Sequence, residues 1–542
     1  MKGHHVSTRT TPGGRRRRSG ITALGAGLTL VAAASVPIGN ATAVDRANTT
    51  SKTLRAAVTP EGVMEHLRAF DEIGTANDGT RASGTPGYEA SRDYVVSKLR
   101  DAGYSPTVQA FDFPFYRQLA PAAFEQVSPT PSTYVENEDF ATMTYSGSGD
   151  VTTTVEPVDL NLGDLAGSTS GCEASDFDGF TAGNVALVRR GACAFATKVV
   201  NAQDAGASAV IVMNTGVPGA TDAFAGTLGG PVGEVPAIGT SFAIGEALSS
   251  GSAVAHVSAS TESEIRETWN VFAETQAGDP DNVVMAGAHL DSVVPGPGVN
   301  DNGSGSAAIL EVAEQMAKVK PKNKVRFAWW GAEELGLLGS EHYVEDLAAN
   351  DREALEDHAL YLNFDMVGSP NYALFVYDGD NSKYPVGPGA AEGPAGSGAI
   401  EQMLHDYFAS QDTPSAETPF SGRSDYGPFI AEGIPAGGLF TGAEGVKTAE
   451  EADLFGGQAG VAYDVCYHQA CDTIANVNVD AIDHNSDAIA HAILTYGMST
   501  KTVNGKKGRP VGPPMPDGTP SGGGTGEGGG LHDDHDHDLP LS

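Results

Sequence analysis

Apolar and polar residues follow helical and then strand periodicity in the first part of the chain. Val63, Leu67 and Phe70 recur at the spacing of one helix face. The stretch GTPGYEASRDYVVSKLRDAGY predicts a second amphipathic helix with Gly103 as its C-cap. TVQAFDF then alternates with a period of two, which predicts a strand.

A second pattern follows Tyr116, where Pro- and Thr-rich sequence leads into a βαβ unit. We predict a strand at Val185–Val188, a helix at Phe195–Ala205 and a strand at Ala209–Met213. A βαβ unit of this length occurs in many folds, so it indicates no particular chemistry.

Three apolar runs between about 267 and 499 each end in side chains that can bind metals. NVVMAGAHLD contains His289 near its end, KVRFAWWGAEE ends at Glu333 and Glu334, and ALYLNFDMVG contains Asp365. Near-continuous apolar runs are typical of buried parallel strands. Because ligands bind beyond the carboxyl ends of such strands, the pattern predicts an α/β sheet with imidazole and carboxylate groups at one edge.

The composition and the first residues narrow the class of protein. At 542 residues, the chain is long enough for two folded units with unstructured ends. Its formal net charge of −37 argues against nucleic acid or a membrane surface as partner. Four arginines at 15–18, an apolar stretch at 21–35 and Ala41-Thr42-Ala43 are typical of a secretory signal peptide. We therefore expect a secreted, extracellular protein. We also expect it to be a monomer.

The cysteine count bears on whether the protein is exported. An even number of cysteines in an exported chain favours disulfides, with three possible pairings. Proximity in the sequence favours Cys172–Cys193 and Cys466–Cys471. The alternative is a zinc site built from Cys466, His468 and Cys471, which export makes less favourable.

A glycine-rich loop, GVNDNGSGSAA, places Asp301 close to the predicted strand ends. Alone, the loop fits an ordinary polar connection equally well, but the three strand ends favour a metal site. Imidazole and carboxylate ligands suit zinc, with manganese or cobalt as substitutes. Asp301 would bridge two ions, because a carboxylate has two oxygens. His289 and Asp365 would hold one ion, and Glu334 with a later histidine would hold the other.

The adjacent glutamates would divide two roles. Glu334 would bind metal, and Glu333 would act as a general base on a water. A solvated helix start is the alternative, although WWGAEELGLLG is otherwise apolar. Asp291 would accept a hydrogen bond from the ring of His289, with a plain salt bridge as the alternative.

DVCYHQACDT supplies the missing histidine, His468, next to Tyr467. A lone histidine is more often structural. His468 is therefore a candidate ligand only because the other four candidate ligands are present. The hydroxyl of Tyr467 would donate to a developing oxyanion.

Together, MAGAHLDSV, GVNDNGSGSAAILE, RFAWWGAEELGLLGS, YLNFDMVGSPN, GRSDYGPF, GLFTG and CYHQACDT resemble secreted bacterial leucyl aminopeptidases with co-catalytic zinc ions. The resemblance covers Thr59 to about Phe115 and about Trp269 to Gly497. It implies a phosphorylase/hydrolase-like, three-layer α/β sandwich and two zinc ions. It also implies the removal of an N-terminal leucine or other hydrophobic residue from peptides with a free N-terminus.

The resemblance also assigns residues. It implies the general base Glu333, the oxyanion donor Tyr467 and five metal ligands: His289, Asp301, Glu334, Asp365 and His468. It further implies a cis bond between Asp301 and Asn302, and it places Arg423 and Asp425 near the substrate's amino group. Asp483 and Asp487 match a calcium pair of some relatives, but AAVTPEGV lacks the matching aspartate, so calcium has weak support.

The segment from Arg117 to Arg266 interrupts this resemblance and itself resembles a protease-associated domain. We expect this insert to cover part of the cleft. We predict a signal peptide at 1–43, a disordered propeptide-like segment at 44–58, and a catalytic domain at 59–116 and 267–500. The insert spans 117–266, and a disordered Gly/Pro-rich linker with a His/Asp tail spans 501–542.

Two other classes of function fit the same fold. One is a different enzyme, such as a dipeptidase, a carboxypeptidase or a single-zinc glutaminyl cyclase. The other is a receptor-like binding protein, which would be expected to lose ligands or the base. All five ligands and the base are present, which favours the aminopeptidase.

Overall fold

A computed structural model describes residues 48–163 and 167–505 of the protein. The predicted signal peptide (1–43), the start of the propeptide-like segment (44–47) and most of the predicted linker and tail (506–542) lie outside these residues. The described start of that linker is not disordered as expected, because Lys501–Asn504 is helical and Val503 is buried. Within the described ranges, no helix is long and apolar enough to cross a membrane.

Helices and strands alternate through most of the described chain. The helices are α1 (Ser51–Arg55), α2 (Pro60–Ala76), α3 (Pro86–Ala102), α4 (Phe195–Asp204), α5 (Phe242–Leu248), α6 (Gly303–Met316), α7 (Leu338–Asn350), α8 (Arg352–Glu356), α9 (Ser397–Ser410), α10 (Gly427–Ala431), α11 (Ala449–Phe455), α12 (Val479–Met498) and α13 (Lys501–Asn504). The strands are β1 (Thr107–Ser128), β2 (Ser132–Tyr134), β3 (Phe140–Thr142), β4 (Gly149–Pro157), β5 (Val185–Arg189), β6 (Ala209–Met213), β7 (Ala237–Thr240), β8 (Val254–Glu274), β9 (Asp279–His289), β10 (Asn323–Trp330), β11 (His358–Phe364), β12 (Phe375–Tyr377), β13 (Ala416–Thr418) and β14 (Ala436–Phe440).

The catalytic region is built on a mixed sheet with a parallel centre. Its strands pair in the order β13-β12-β14-β11-β9-β10-β8, and β1 pairs with β8. Strands β14, β11, β9 and β10 are parallel, whereas β8 runs antiparallel to β10. The helical connections α6 and α7–α8 return the chain to the same end of the sheet each time.

Helices cover both faces of this sheet. Alternate residues of β10 point to opposite faces, so Trp329 packs in the core with α2, α3, α6, α9 and α12, and Trp330 packs in the core with α7 and α10. Both indoles are fully buried. The predicted three-layer α/β sandwich is therefore confirmed.

The strands of the insert pair in the order β4-β5-β6-β7-β3, and β4 also pairs antiparallel with β8, so these strands extend the sheet of the catalytic region. The predicted strand–helix–strand unit is present as β5, α4 and β6, with β5 one residue longer than expected. The predicted Cys172–Cys193 disulfide is formed beside it. The insert therefore has its own hydrophobic core, in which Val185, Leu187 and Ile211 are buried.

The connection between insert and catalytic sheet differs from the prediction. The boundaries expected after Tyr116 and after Arg266 fall inside β1 and β8, which pair along most of their length from Thr107–Phe272 to Ser128–Val254. These two long strands form a continuous antiparallel ribbon that belongs to both regions.

The segment expected to be disordered up to Val58 is partly helical. Residues Ser51–Arg55 form α1, and Thr50 caps this helix. Leu54 and Val58 are buried against the catalytic core. The expectation of disorder is therefore wrong for the described part of this segment, because two apolar side chains and tertiary contacts with α12 stabilise it.

Candidate metal centre and substrate cavity

The carboxyl ends of β9, β10 and β11 meet at one edge of the sheet, as predicted. His289 is the last residue of β9, Glu333 and Glu334 lie in the turn after β10, and Asp365 follows β11 directly. In the β9–β10 register, His289 lies opposite Trp330. The side chains from three strands therefore meet at one site.

Asp301 lies between the two candidate histidines. Its Oδ1 atom is 3.3 Å from His289 Nε2, and its Oδ2 atom is 3.2 Å from His468 Nε2. Asp365 Oδ1 lies 3.3 Å from His289 Nε2, and Glu334 Oε2 lies 3.0 Å from His468 Nε2. All five predicted ligands are thus together, in two sets that share Asp301.

Burial and mutual repulsion shift the proton affinities of these groups. Burial raises the pKa of Glu334 to about 7, and the Asp301 carboxylate acts in the same direction. Burial and the carboxylate of Asp365 also raise the pKa of Glu333 well above its usual range. Burial alone would lower the pKa of His468, but Glu334 and Asp301 raise it to about 11. A divalent cation would offset the repulsion between these closely spaced carboxylates.

Unsatisfied atoms show that these residues fit a metal. Glu334 Oε1 and Asp365 Oδ1 are shielded from solvent and make no hydrogen bond, although buried polar atoms are normally paired. At this site, two groups have donor atoms close enough to share an ion: His289–Asp301–Glu334 and His289–Glu333–Asp365. The geometry therefore allows Glu333 to act as a ligand as well as a base.

Asp291 contacts both His289 and Glu333. Its backbone oxygen lies 3.1 Å from His289 Nδ1, and its Oδ1 atom lies 3.7 Å from the same nitrogen. Oδ1 also accepts a hydrogen bond from the backbone N–H of Glu333 at 3.2 Å. The carbonyl group is thus the nearer acceptor for the imidazole, and the carboxylate holds the backbone of Glu333.

Asp472, which no sequence pattern predicted, holds the loop that carries Asp301. Its carboxylate accepts hydrogen bonds from the backbone N–H groups of Asn300 and Asp301, each at 2.9 Å. The Asp301–Asn302 peptide bond is cis, as the resemblance implied. Asn302 then caps α6 by accepting a hydrogen bond from the N–H of Gly305. Asp472 and the cap together fix the backbone on both sides of the shared carboxylate.

Arg81, also not predicted, holds the loop that follows His289. It is fully buried and donates hydrogen bonds to the carbonyl oxygens of Leu290, Pro297 and Gly298 at 2.5, 2.6 and 2.6 Å. Burial lowers the pKa of Arg81 to about 10, so it stays charged at neutral pH. The guanidinium of Arg81 thus holds three carbonyl groups of the loop between His289 and Asp301 in place.

A chain of side chains orients Asp365. Ser424 Oγ donates a hydrogen bond to Asp365 Oδ2 at 2.6 Å, and Asn363 Nδ2 donates to Ser424 Oγ at 2.8 Å. Asn363 Oδ1 accepts from the hydroxyl of Tyr361, which accepts from Trp330 Nε1. The candidate ligand is thereby connected to the aromatic core on the far side of the sheet.

We expect Ser424→Ala to weaken metal affinity or activity by about 10–100-fold, because partners that orient a ligand have effects of that size. Zinc affinity and kcat/KM would measure this. Ser421→Ala is the control, because Ser421 lines the same cavity and its described hydrogen bonds involve only Tyr426 and Arg423. Equal zinc affinity in the two variants would contradict a role for Ser424.

A disulfide constrains the loop that carries His468. Cys466 and Cys471 are bonded, as predicted, so the alternative of a thiolate zinc site is wrong. His468 has a φ of 58°, in the left-handed region. The ring of Tyr467 stacks on that of His468 with 3.8 Å between centroids. Burial raises the pKa of Tyr467 well above its usual value, so its hydroxyl stays protonated.

The remaining predicted residues take different positions. Arg423 lines the cavity, whereas Asp425 is fully buried and does not line it. Burial raises the pKa of Asp425 to about 8. Asp487, of the suggested calcium pair, forms an ion pair with Arg55 at 2.9 Å. Neither Asp483 nor Asp487 belongs to a metal-binding group among the described residues.

The site opens into a cavity of about 510 Å³. The five candidate ligands, Glu333 and Tyr467 all line it, and its apolar and aromatic lining consists of Met366, Phe375, Tyr377, Tyr384, Pro419, Tyr426, Phe440, Ala443 and Tyr463. Every lining residue lies between His289 and His468, and none belongs to the insert. The insert therefore contributes no residue to the walls of this cavity.

Known sequences match most of this chain. Residues 270–493 match peptidase family M28, and residues 154–248 match the PA domain. An aminopeptidase from Pseudomonas aeruginosa is 48% identical over 448 residues, which cover 82% of each chain. A probable leucine aminopeptidase 2 from Aspergillus fumigatus is 42% identical over 431 residues, which cover 78% of this chain and 80% of that protein.

Solved structures show the same fold. An aminopeptidase from Aneurinibacillus sp. strain AM-1 matches with a TM-score of 0.56 and 26% identity, covering 82% of this chain and 95% of that one. A zinc aminopeptidase from Bacillus subtilis matches with a TM-score of 0.52 and 22% identity, covering 82% and 96%. The chain therefore belongs to peptidase family M28, as a metallo-exopeptidase of the aminopeptidase type that carries a PA domain.

Proposed function

We propose that this protein is a secreted aminopeptidase that uses two zinc ions to remove leucine or another hydrophobic residue from the N-terminus of peptides. The observation that carries the proposal is the pair of ligand sets that share Asp301 at the wall of a largely apolar cavity. Relatives named as leucine aminopeptidases support the side-chain preference.

The donor atoms favour zinc and a paired site. Each set offers an imidazole nitrogen and carboxylate oxygens, which suit zinc, with manganese or cobalt as substitutes. His289 and Asp365 would hold one ion, Glu334 and His468 would hold the other, and Asp301 would give one oxygen to each. Bound zinc would polarise the scissile carbonyl and make a water molecule more acidic.

Glu333 would then transfer protons, and Tyr467 would stabilise the developing negative charge. The carboxylate of Glu333 takes a proton from the attacking water and delivers it to the leaving amine. Its backbone is held in place by the hydrogen bond to Asp291. The hydroxyl of Tyr467 donates a hydrogen bond to the oxyanion that develops on the carbonyl oxygen.

The cavity suits a hydrophobic residue with a free amino group. Its apolar wall, which includes Met366, Phe375 and Phe440, would receive the side chain. Glu417 and Glu444 line the same cavity, and their negative charge favours a protonated amino end over a blocked one. Arg423 also lines the cavity, and the family resemblance implies a position near the amino group for it.

A panel of aminoacyl nitroanilides would test the activity, with N-acetylated forms as matched controls. We expect cleavage of leucyl and other hydrophobic substrates and no cleavage of their acetylated forms. Dipeptides and C-terminally blocked peptides should be added, because a dipeptidase or carboxypeptidase would select among them differently. A chain that binds peptides without cleaving any of them would instead favour the receptor-like alternative.

Export is proposed from the signal-peptide pattern of residues 1–43 and from the two disulfides, which are typical of oxidising compartments. We also propose a monomer without nucleic-acid or membrane partners. The culture medium of a producing strain should contain the protein, with an N-terminus after Ala43. Mass measurement of a cell-associated protein that keeps residues 1–43 would contradict export.

The ribbon of β1 and β8 suggests how to remove the insert. Arg117 and Glu262 pair across this ribbon, so residues 118–261 can be replaced by a two-residue turn that closes the hairpin. We expect cleavage of small leucyl substrates to persist, because no cavity-lining residue is lost. Discrimination between short peptides and long or folded N-termini should change. A soluble, zinc-loaded variant inactive on leucyl nitroanilide would show that the insert contributes to the site.

A further inference from the structure

A second group of metal-binding side chains lies between helices α2 and α6, outside the substrate cavity. It consists of His66, Glu311 and Glu314, and one donor atom of each lies within 4.8 Å of the others. His66 is 1% exposed and Glu311 is 5% exposed. None of the three lines the cavity, so the catalytic centre does not account for them.

The imidazole of His66 is aimed at the two carboxylates. Its Nε2 atom is shielded from solvent, makes no hydrogen bond and lies 3.6 Å from Glu311 Oε2. Its Nδ1 atom lies 2.8 Å from the hydroxyl oxygen of Tyr94. An Nδ1–H that donates to this oxygen leaves the lone pair of Nε2 directed at the carboxylates, as in a metal-binding histidine held by a second partner.

The backbone of α2 leaves room for this arrangement. A Cβ atom at Gly62, one helical turn before His66, would lie 2.6 Å from the carboxylate of Glu311. The carboxylate of Glu311 therefore packs directly over bare backbone, and its Oε1 accepts a hydrogen bond from Gln315 Nε2 at 3.0 Å. Its other oxygen remains available on the side of His66.

We propose that His66, Glu311 and Glu314 bind a divalent transition-metal ion of the zinc class, with water completing the coordination. One imidazole and two carboxylates are ligands of that class. In a tetrahedral site with ligand bonds of about 2.0–2.1 Å, donor atoms lie about 3.3 Å apart. The observed 3.6 Å between His66 Nε2 and Glu311 Oε2 is close to that value.

The charges of the surrounding side chains favour a bound cation. Two carboxylates face one buried imidazole, and burial raises the pKa of Glu314. Lys98, whose charge acts on Glu314, is paired with Glu65 at 3.1 Å. A dication would neutralise both glutamates and cross-link α2 to α6, the helix that begins at Gly303, two residues after Asp301. The ion would thus stabilise the fold near the catalytic loop without touching substrate.

The experiment uses the full chain loaded with zinc. We expect Glu314→Gln to bind one ion fewer per chain than the wild type and to keep its turnover of leucyl nitroanilide. Glu72→Gln is the matched control, because Glu72 is an exposed carboxylate on α2 outside the group. In crystals, zinc anomalous scattering should give a peak between His66 and the two glutamates in the wild type and none there in Glu314→Gln.

Tyr94→Phe gives a second measurement that keeps the aromatic packing. Loss of the partner of Nδ1 should weaken zinc affinity at this site by about 10–100-fold. The absence of an anomalous peak in zinc-loaded wild type, or equal zinc content in the wild type and Glu314→Gln, would overturn the proposal and leave His66 and Glu311 as a packing contact between α2 and α6. Because turnover is measured separately, failure here is distinct from failure of the proposed aminopeptidase activity.

Discussion

Glu333→Gln is expected to lower kcat by about 10²–10⁴-fold, the contribution typical of a positioned general base. The amide keeps the size of the side chain but cannot take a proton from water. Steady-state kinetics on leucyl nitroanilide would measure the loss, and metal analysis of the same preparation would show whether zinc is retained. We expect retained zinc and nearly unchanged KM.

The control for this variant is Glu345→Gln, which removes an exposed carboxylate from α7, the helix that follows the glutamate pair. It should leave kcat unchanged. Two outcomes of Glu333→Gln are informative against our assignment. Near-normal kcat would show that Glu333 is not the base. Loss of one zinc ion would show that Glu333 is a ligand, which its position near His289 and Asp365 allows.

The position of the site was predictable because strand ends are visible in the sequence. Runs of buried residues mark β9, β10 and β11, and each has a polar side chain at its last residue or within four residues after it. Parallel strands with helical connections bring their carboxyl ends to one edge, so the convergence of His289, Glu334 and Asp365 follows from strand direction alone. No side-chain geometry was needed for that prediction.

The residues that hold the ligands in place were not predictable in this way. Arg81, Asp472 and Ser424 are single polar residues in irregular segments, and they follow no periodic pattern. Their partners are distant in sequence, since Arg81 bonds to a carbonyl group 209 positions away. Only the folded chain shows that the buried guanidinium of Arg81 replaces water as donor to Leu290.

The length of the β1–β8 ribbon was not predicted, for a different reason. Strand periodicity is visible when one face is buried, as in Phe111, Phe113 and Phe115. In the middle of the ribbon, the stretch from Gln118 to Pro121 is exposed, and the register shifts between Gln118 and Ala120. Without a buried face the alternating pattern disappears, although the backbone pairing continues.

Removal of metal is expected to lower kcat by about 10³-fold or more, because zinc supplies several kcal/mol of transition-state stabilisation. Dialysis against a chelator, followed by zinc titration, would measure the loss and its recovery. The titration is best done in Glu314→Gln, so that the ions counted belong to the catalytic centre. Circular dichroism of the chelated protein would confirm that the fold persists.

The titration also tests whether the site is paired. Asp301 presents one oxygen to each histidine, at 3.3 and 3.2 Å, so full activity should require two ions per chain. His468→Gln should retain one catalytic ion and lose most activity. His256→Gln, which changes a histidine on β8 that pairs with Asp150, should retain both. Full recovery after a single equivalent of zinc would rule out the two-ion mechanism, and Glu334 and His468 would then need another role.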